Sequence, residues 1–384
     1  MKKVYFSLVI ALGLTLMGSA QTLTVVHNTE NDMGAEITSA LGTTDISTIK
    51  TLKVTGMADL SLEDCKVIRE RFKTTLEELD LSGASFMWGI IPSEEGGTNP
   101  GAFRSMSIKK AILPDNVLSI GDRAFIYCEQ LEEIEIPNSV VFIGNHTFRY
   151  CRLLSLKKLP DSLTDMNATY TFASCDSLEI SSIPSGVSGV IGQSYFDGCW
   201  KNNITEIPEG VTHISTTAFR NSFVITSVTF PTTLKELGKG AFAIDPLKTQ
   251  LTEVYFKGTT PPVIYEDNLP FRVIENITVH VPIGSFDDYN VAPWNQMKQI
   301  IEGNTDVITV GEQIKVNVYP NPTTGKFIII SEINLDENVE VYDVSGRFLT
   351  ELAPDNIRSF DISRFSNGLY FLKVNRETIK IMKN

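Results

Sequence analysis

Apolar residues in the middle of the chain recur with a period of about 23 residues. The two clearest units are 114–136, PDNVLSIGDRAFIYCEQLEEIEI, and 137–159, PNSVVFIGNHTFRYCRLLSLKKL. Each contains an Ile-Gly pair, then a phenylalanine, then a cysteine three residues later. The phenylalanine recurs in phase as Phe103, Phe125, Phe148, Phe172, Phe196, Phe219 and Phe242. A fixed period of this length is typical of a stacked-repeat architecture, in which neighbouring units bury one continuous core.

Each repeat closes on a short apolar alternation. In the second repeat, Leu131, Ile134 and Ile136 follow the pattern L-x-x-L-x-L, with a glutamate between the two isoleucines. This predicts a short strand with one buried face, and strands of successive repeats should pair in parallel at about 4.8 Å. A proline ends each strand, because proline cannot donate to the ladder. The glycines before the phenylalanines are expected to supply a left-handed or tight backbone; they are Gly121, Gly144, Gly192 and Gly238.

Four repeats depart from this pattern. Repeats three to five place the middle apolar residue one position early, at Leu156, Ile180 and Ile204. Repeat seven carries an insertion before Leu251. We expect local irregularity in these coils rather than a break in the stack.

The repeats resemble the BspA-like leucine-rich repeat family of bacterial surface proteins. The resemblance covers about residues 76–302, and its motif I-G-x-x-A-F-x-x-C…L-x-x-I-x-I-P is clearest at 120–137. It implies a leucine-rich repeat solenoid with a parallel strand ladder. It also implies binding to host matrix proteins or other cells, and it brings no catalytic residues.

The segments around the repeats are predicted to close the core at both ends. Residues 21–75 should form an N-terminal cap with two strands and a helix that begins after Ser61, with Asp64 completing a capping box. Residues 82–101 are turn-rich and predict a surface insertion, with a binding loop as the alternative. After a degenerate eighth coil near Ile277, residues 285–301 are expected to form the C-terminal cap of the solenoid.

Period-2 patterning replaces the repeats after a short linker, 303–312. The segment 313–384 predicts seven short strands, which indicates a small antiparallel β-sandwich. The fold class is therefore α+β and β-rich, a solenoid followed by a sandwich. The predicted strands are 314–319, 326–331, 338–342, 347–352, 359–362, 369–374 and 378–382.

This tail resembles the C-terminal sorting domain of the type IX secretion system. The residues that carry the resemblance are Tyr319, Pro320, Asn321, Pro322, Gly325, Gly346, Gly368, Tyr370, Lys380 and Lys383. The resemblance implies outer-membrane passage, removal of the domain by a surface sortase and attachment to surface polysaccharide. The secretion machinery and the sortase are thus the implied partners. An ordinary carbohydrate-binding sandwich is the alternative.

Residues 1–20 predict a secretory signal peptide. Two lysines precede an apolar run, and Gly18, Ser19 and Ala20 form a small-residue cleavage site. No other stretch is apolar enough to predict a transmembrane span. The formal net charge of −13 argues against nucleic acid as a partner, because nucleic-acid binding needs a basic surface.

The cysteines and histidines do not predict a catalytic, metal or cofactor site. Four cysteines hold the same place in successive repeats, where parallel side chains favour buried free thiols over disulfides, although stacking would bring them close enough to bond. A fifth, Cys65, is expected to pack in the cap. The spacing does not fit zinc, and the four histidines are scattered. We therefore expect no enzyme activity, with a polysaccharide-processing accessory as the alternative.

Outward positions of the predicted strands form the candidate binding face. They are Glu78, Asp80, Glu133, Glu135, Lys158, Ser227, Thr229, Glu253 and Tyr255. Stacking should join them into one surface, acidic in the first coils and polar or aromatic in the later ones. A merely solvated face is the alternative. The sequence thus predicts a secreted, adhesin-like surface protein that binds a protein or glycan, with a structural surface-layer or matrix component as the second hypothesis.

Overall fold

A computed structural model describes residues 21–29, 32–93, 101–244, 251–264, 269–303, 317–319, 322–330, 339–343, 347–352, 359–374 and 377–384. The chain divides into two compact units, Met1–Asp306 and Val307–Asn384. The predicted signal peptide and nearly all of the predicted linker lie outside the described residues. Among the described residues, no helix has the length and apolarity to cross a membrane.

The first unit begins with the predicted cap. Its elements are β1 (Gln21–His27), α1 (Met33–Leu41), β2 (Ile49–Asp59) and α2 (Leu62–Phe72). Ser61 accepts a hydrogen bond from the Asp64 N–H, and Asp64 accepts one from the Ser61 N–H, so the predicted capping box is confirmed. Helix α1 was not predicted; it buries Met33 and Ile37, one turn apart on the same face. A 3-10 turn, Ile46–Thr48, leads into β2.

Strands at corresponding places in the coils pair in parallel, as the alternation predicts. In chain order, the elements of the solenoid after the cap are β3 (Glu78–Ser85), β4 (Ile90–Ile91), β5 (Lys110–Ile112), β6 (Ser119–Ile120), β7 (Glu133–Glu135), β8 (Phe142–Ile143), β9 (Gly189–Ile191), β10 (Val211–Ile214), β11 (Ser227–Phe230), β12 (Glu236–Leu237), β13 (Glu253–Phe256), β14 (Thr278–Val281), α3 (Phe286–Tyr289) and β15 (Gln299–Glu302). One ladder runs β1-β2-β3-β5-β7 and resumes as β11-β13-β14-β15. We call the outward side of this ladder the strand face.

Between β7 and β11 the strand-face ladder is interrupted. Residues 154–183 are all described and form no strand. The coils nevertheless stay joined there, since the Ser155 N–H donates to Glu132 O at 2.9 Å and the Glu179 N–H donates to Leu156 O at 3.1 Å. The expected irregularity with a continuous stack is therefore confirmed for these coils, whereas the predicted insertion of repeat seven before Leu251 lies outside the described residues.

A second parallel ladder lies on another side of each coil and was not predicted. It comprises the sheets β4-β6-β8 and β9-β10-β12, just before the phenylalanine turns. Isolated bridges, Phe142 with Asp165 and Met166 with Ile191, connect the two sheets. Its strands are two to four residues long, too short to show period-2 alternation in the sequence.

The repeat glycines are needed for close approach, not for a left-handed backbone. A Cβ at Gly192 would lie 1.9 Å from Ala168 O in the preceding coil, and one at Gly121 would lie 2.4 Å from Ile91 O. Neither glycine has a positive φ, so the left-handed alternative was wrong. Left-handed backbone instead occurs two residues before or after each phenylalanine; non-glycine examples are Arg123, Tyr127, His146, Tyr150, Tyr170 and Thr217.

The phenylalanines form the predicted central row of the core. All seven are buried, and successive ring centroids lie 4.9–5.7 Å apart. A single hydrophobic cluster extends from Leu23 in the cap to Met297. At its far end, where a C-terminal cap was predicted, Tyr289 and Trp294 bury their rings against Phe256. Short 3-10 turns occur at Met87–Gly89, Ile274–Asn276 and Trp294–Gln296.

The second unit contains all seven predicted strands. They are β16 (Asn317–Tyr319), β17 (Lys326–Ile330), β18 (Val339–Tyr342), β19 (Phe348–Leu352), β20 (Ser359–Asp361), β21 (Gly368–Val374) and β22 (Glu377–Lys383). They form two antiparallel sheets, β16-β17-β20 and β19-β18-β21-β22. Phe327 and Phe360 of one sheet share a core with Val341 and Leu372 of the other.

Candidate binding surface

The first coils of the strand face carry alternating charges rather than an acidic patch. Register places Lys110 between Glu78 and Glu133 on neighbouring strands. Lys110 Nζ lies 3.0 Å from a carboxylate oxygen of Glu135. Side-chain hydrogen bonding to Glu135 raises the pKa of Lys110, so this lysine stays charged. The expectation of an acidic surface was wrong, because it left out the lysines at the same strand positions.

Asp80 was expected to be exposed, but only 9% of it is accessible. Lys53 Nζ lies 2.8 Å from Oδ2, and the backbone N–H of Ser82 donates to Oδ1 at 2.9 Å. Burial alone would raise the pKa of Asp80, but the hydrogen bonds from Lys53 and Ser82 outweigh burial and lower it. Asp80 therefore joins β3 to β2 through Lys53 and fixes the backbone of its own strand through Ser82. Glu78 is half-buried, while Glu133 and Glu135 are exposed as predicted.

The middle of the strand face has no regular surface. Lys158 is exposed as predicted, but its segment forms no strand, and it pairs with Asp161 at 2.7 Å. This part of the chain therefore separates the charged first coils from the later ones.

The later coils assemble an aromatic and acidic cluster. Tyr255 and His280 lie in register on β13 and β14, with ring centroids 4.2 Å apart and planes within 8° of parallel. His280 Nε2 lies 2.6 Å from Glu253 Oε2. All three side chains are half-buried. Sequence reasoning missed His280, although its alternation T-V-H-V marks it as an outward residue. We call Glu253, Tyr255 and His280 the aromatic cluster.

Thr229 was also expected on the surface, and this was wrong. It is 1% exposed. Register places it between Glu206 and Tyr255, and an ion pair of 2.8 Å from Lys257 to Glu206 spans its coil. These longer side chains cover the short threonine. Ser227, opposite Glu253, remains half-buried at the edge of the cluster.

The repeated cysteines are buried thiols in an apolar row. The Sγ of Cys128, Cys151, Cys175 and Cys199 each donates to the phenylalanine carbonyl of the preceding coil, at 3.0–3.2 Å. Burial raises the pKa of Cys128 to about 12 and raises the pKa of the other three thiols as well. All are free, as is Cys65, which is buried in the cap as predicted. These thiols are packing groups and poor nucleophiles.

The four histidines do not come together. His27 is buried in the cap, with Nδ1 2.6 Å from Glu36 Oε2. His146 and His213 lie in other coils, and His280 belongs to the aromatic cluster. Within the described ranges, no group of three or more His, Cys, Asp or Glu side chains could hold a metal ion.

Several residues of the tail motif have structural roles. Gly325 has φ 134°, and a Cβ there would lie 2.7 Å from Ser363 Cα. Tyr370 is buried, and its hydroxyl donates to Ser366 O at 2.7 Å. Lys383 is also buried and donates to Asn367 Oδ1 at 3.2 Å. The motif residues thus stabilise the turns of this unit. Tyr319 lies in β16, Gly368 begins β21, and Pro322 and Lys380 are exposed; Pro320, Asn321 and Gly346 lie outside the described residues.

Comparison with protein-family models finds two matches. Residues 98–199 and 168–262 match the BspA type leucine-rich repeat region, in six copies. Residues 317–384 match the secretion system C-terminal sorting domain. No curated protein matches the chain.

Solved structures similar to the chain include three bacterial leucine-rich repeat proteins. The T. pallidum leucine-rich repeat protein has 27% identity and a TM-score of 0.32, over 37% of this chain and 71% of that one. One from Bacteroides ovatus has 21% identity and a TM-score of 0.30, over 60% and 65%. A leucine-rich cell surface protein from Faecalibacterium prausnitzii has 14% identity and a TM-score of 0.29, over 76% and 93%.

Proposed function

We propose that this secreted cell-surface protein, which carries BspA-type leucine-rich repeats and a type IX secretion sorting domain, binds a protein or glycan partner in an adhesin-like role. Its repeats offer a surface rather than an enclosed site. Stacked coils extend such a surface over many strands, which suits large partners. The partner lies outside the cell, where the sorting domain delivers the chain.

The aromatic cluster is the observation that carries this proposal. Tyrosines that combine a large apolar area with a polar tip dominate the energetics of many interfaces. Tyr255 is already fixed against His280, and His280 is held by Glu253. Little side-chain entropy therefore remains to be lost on binding. The charged first coils are the weaker candidate, since Asp80 and Glu135 are already paired with lysines.

The test is binding of the purified secreted chain to a panel of matrix proteins, cells and glycans. Tyr255→Ala should weaken saturable binding about tenfold or more, as expected for the loss of an interface anchor. Trp200→Ala, which removes an exposed aromatic ring elsewhere in the solenoid, is the matched control and should change the affinity less than about twofold. Glu135→Gln tests the charged first coils of the strand face in the same assay.

Two results would contradict this assignment. Equal losses of affinity in the Tyr255→Ala and Trp200→Ala variants would show that the aromatic cluster is not the contact. Absence of binding to the whole panel, together with concentration-dependent sedimentation of the folded chain, would instead support a structural surface or matrix component.

We also propose that the sorting domain is removed at the cell surface. The described strands of this unit bury their own core, with no residue shared with the solenoid core. The binding surface is therefore expected to survive loss of the domain.

A further inference from the structure

Arginine and tyrosine side chains form a row along the turns that carry the phenylalanines. Tyr127 and Tyr150, from successive coils, stack with ring centroids 5.0 Å apart. The Arg149 guanidinium lies 4.8 Å from the ring centroid of Tyr150 and 4.6 Å from that of Tyr170 in the next coil. At the other end, Arg104 lies 5.4 Å from the ring centroid of Tyr127. The row thus runs unbroken across four coils. Arg123 lies near it, since its charge acts on His146 together with that of Arg149. We call these arginines and tyrosines the cation–aromatic strip.

The backbone holds this strip in place before any ligand arrives. Tyr127, Tyr150 and Tyr170 all have left-handed backbone, with φ of 61°, 66° and 57°. The Tyr127 N–H donates to Arg149 O at 2.9 Å, and the Tyr150 N–H donates to Ala173 O at 2.9 Å. Coil-to-coil hydrogen bonds therefore set the spacing of the side chains. Such preorganisation lowers the entropic cost of binding.

The strip concentrates positive charge on a protein whose formal net charge is −13. Among the described residues, no carboxylate oxygen lies within 4.0 Å of the guanidinium nitrogens of Arg104, Arg123 or Arg149, in contrast to the paired lysines of the strand face. Burial, together with Arg149 and Arg123, holds the pKa of the adjacent His146 below its ordinary value. In the part of the chain described, no carboxylate pairs directly with these three guanidinium groups. Asp122 acts on His146 in the opposite direction to the arginines, but its carboxylate accepts hydrogen bonds from Asn145.

A depression extends the positive surface beyond Arg104. Its volume is about 380 Å³, and it is lined by Arg69, Glu70, Lys73, Arg104 and Ser105. Glu70 is the one carboxylate among these lining residues, and Arg69 approaches it at 4.0 Å. Lys73 is exposed and forms no ion pair with a described residue. The cationic surface therefore continues from the coils onto helix α2.

We propose that the cation–aromatic strip binds a linear anionic polysaccharide, one that bears carboxylates or sulfates along its length. Guanidinium groups bind such oxyanions through paired N–H donors. Arg104 and Arg149 each follow the phenylalanine of their coil, and Arg123 precedes the phenylalanine of the coil between them. The donors are therefore distributed along the stack, which suits an extended charged polymer. Tyrosine edges and hydroxyls between the arginines offer contacts to the sugar rings. The site lies apart from the aromatic cluster and does not depend on the function proposed for that cluster.

The experiment measures binding of the purified full chain, as secreted, to three polymers across a salt series. Polygalacturonate supplies carboxylates, heparin supplies sulfates as well, and dextran is the neutral polymer. Polyglutamate serves as a competitor that carries carboxylates without sugar. The variant Arg104→Gln/Arg123→Gln/Arg149→Gln removes three charges from the strip. The matched control, Lys157→Gln/Lys235→Gln/Lys239→Gln, removes three charges from exposed lysines elsewhere in the solenoid.

We expect saturable binding to polygalacturonate, heparin or both, none to dextran, and weakening by salt as exposed charges are screened. The arginine variant should bind at least about tenfold more weakly, and the lysine control should bind within about threefold of the parent chain. Heparin binding alone would assign sulfate as the recognised group. Thermal unfolding checks that both variants are folded, and Tyr255→Ala should bind these polymers normally.

Three outcomes would overturn the proposal. The first is no binding to either acidic polysaccharide, and the second is an equal loss of affinity in the lysine control. The third is competition by polyglutamate that is as effective as competition by the sugar polymers. The last would favour an acidic polypeptide instead. Should the triple arginine variant unfold, Arg104→Gln/Arg123→Gln provides the same comparison, because it keeps Arg149 in place between Tyr150 and Tyr170.

Discussion

At the residue scale, the absence of a side chain decides how closely neighbouring coils approach. The backbone at Gly192 passes so near the preceding coil that any Cβ would overlap Ala168 O. The Gly192 N–H also donates to Met166 O at 2.9 Å, so the strand cannot easily move away. Small size, not conformational freedom, is the requirement at this position.

Gly192→Ala should therefore destabilise the solenoid by about 3 kcal/mol or more, since overpacking a tight contact forces the backbone to shift. The matched control is Gly186→Ala. Gly186 also lacks a positive φ, and a Cβ there would make ordinary contacts with Thr164 Cγ2 at 3.4 Å and Leu163 O at 3.9 Å. Urea unfolding of both variants provides the measurement. Similar losses of stability in the two variants would refute the close-approach explanation.

At the element scale, each coil is held by its buried rows more than by its strands. Where the middle apolar residue comes early, as at Leu156 and Ile180, the strand is lost, yet both side chains still pack in or against the core. The phenylalanine row continues through those coils, and the cysteine row lies beside it. Stacking thus persists there because these coils still contribute to both rows.

The cysteine row predicts a labelling pattern. Burial raises the pKa of these thiols, so at pH 8 they are protonated as well as inaccessible. A maleimide should label none of the five cysteines in the native chain and all five after unfolding in guanidinium, as counted by mass spectrometry. Thr164→Cys, at an exposed position, should be labelled natively and is the positive control. Fewer than five labels after unfolding would instead reveal disulfides.

At the scale of the whole molecule, two separate cores define two units. The solenoid core runs from the N-terminal cap to Met297, and Tyr289 and Trp294 cover its last coil. The second unit buries its own cluster, which includes Phe327 and Tyr370. Units with independent cores are able to fold independently.

Removal of the sorting domain should therefore leave the solenoid intact. The surface-exposed form of the protein should be lighter than the full chain by roughly the mass of the tail after residue 306. Its thermal unfolding midpoint should match the solenoid transition of the full chain within about 2 °C. Mass spectrometry and circular dichroism provide the two readings. Retention of the tail would contradict surface processing, and a large drop in the midpoint would contradict independent cores.

Local patterns predicted most of the fold. The phenylalanine period set the stack, the Ser61 capping box marked helix α2, and alternation located the strands of the second unit. Helix α1 and the second ladder were not predicted. The helix buries only two residues on one face, and the strands of the second ladder are too short to give a periodic signal. The candidate face was predicted less well: Glu133, Glu135 and Tyr255 reach the surface, whereas Asp80 and Thr229 are buried.

Period, caps and motifs are local properties of the chain, so a reading of the sequence alone predicts a capped stack of coils followed by a sorting domain. Which side chains meet across coils depends instead on the packed structure. Lys110 reaches Glu135, Tyr255 stacks on His280, and Arg149 lies between two tyrosines of different coils. These partners lie one repeat apart in sequence, so their contacts depend on register, and register is established only when the coils pack.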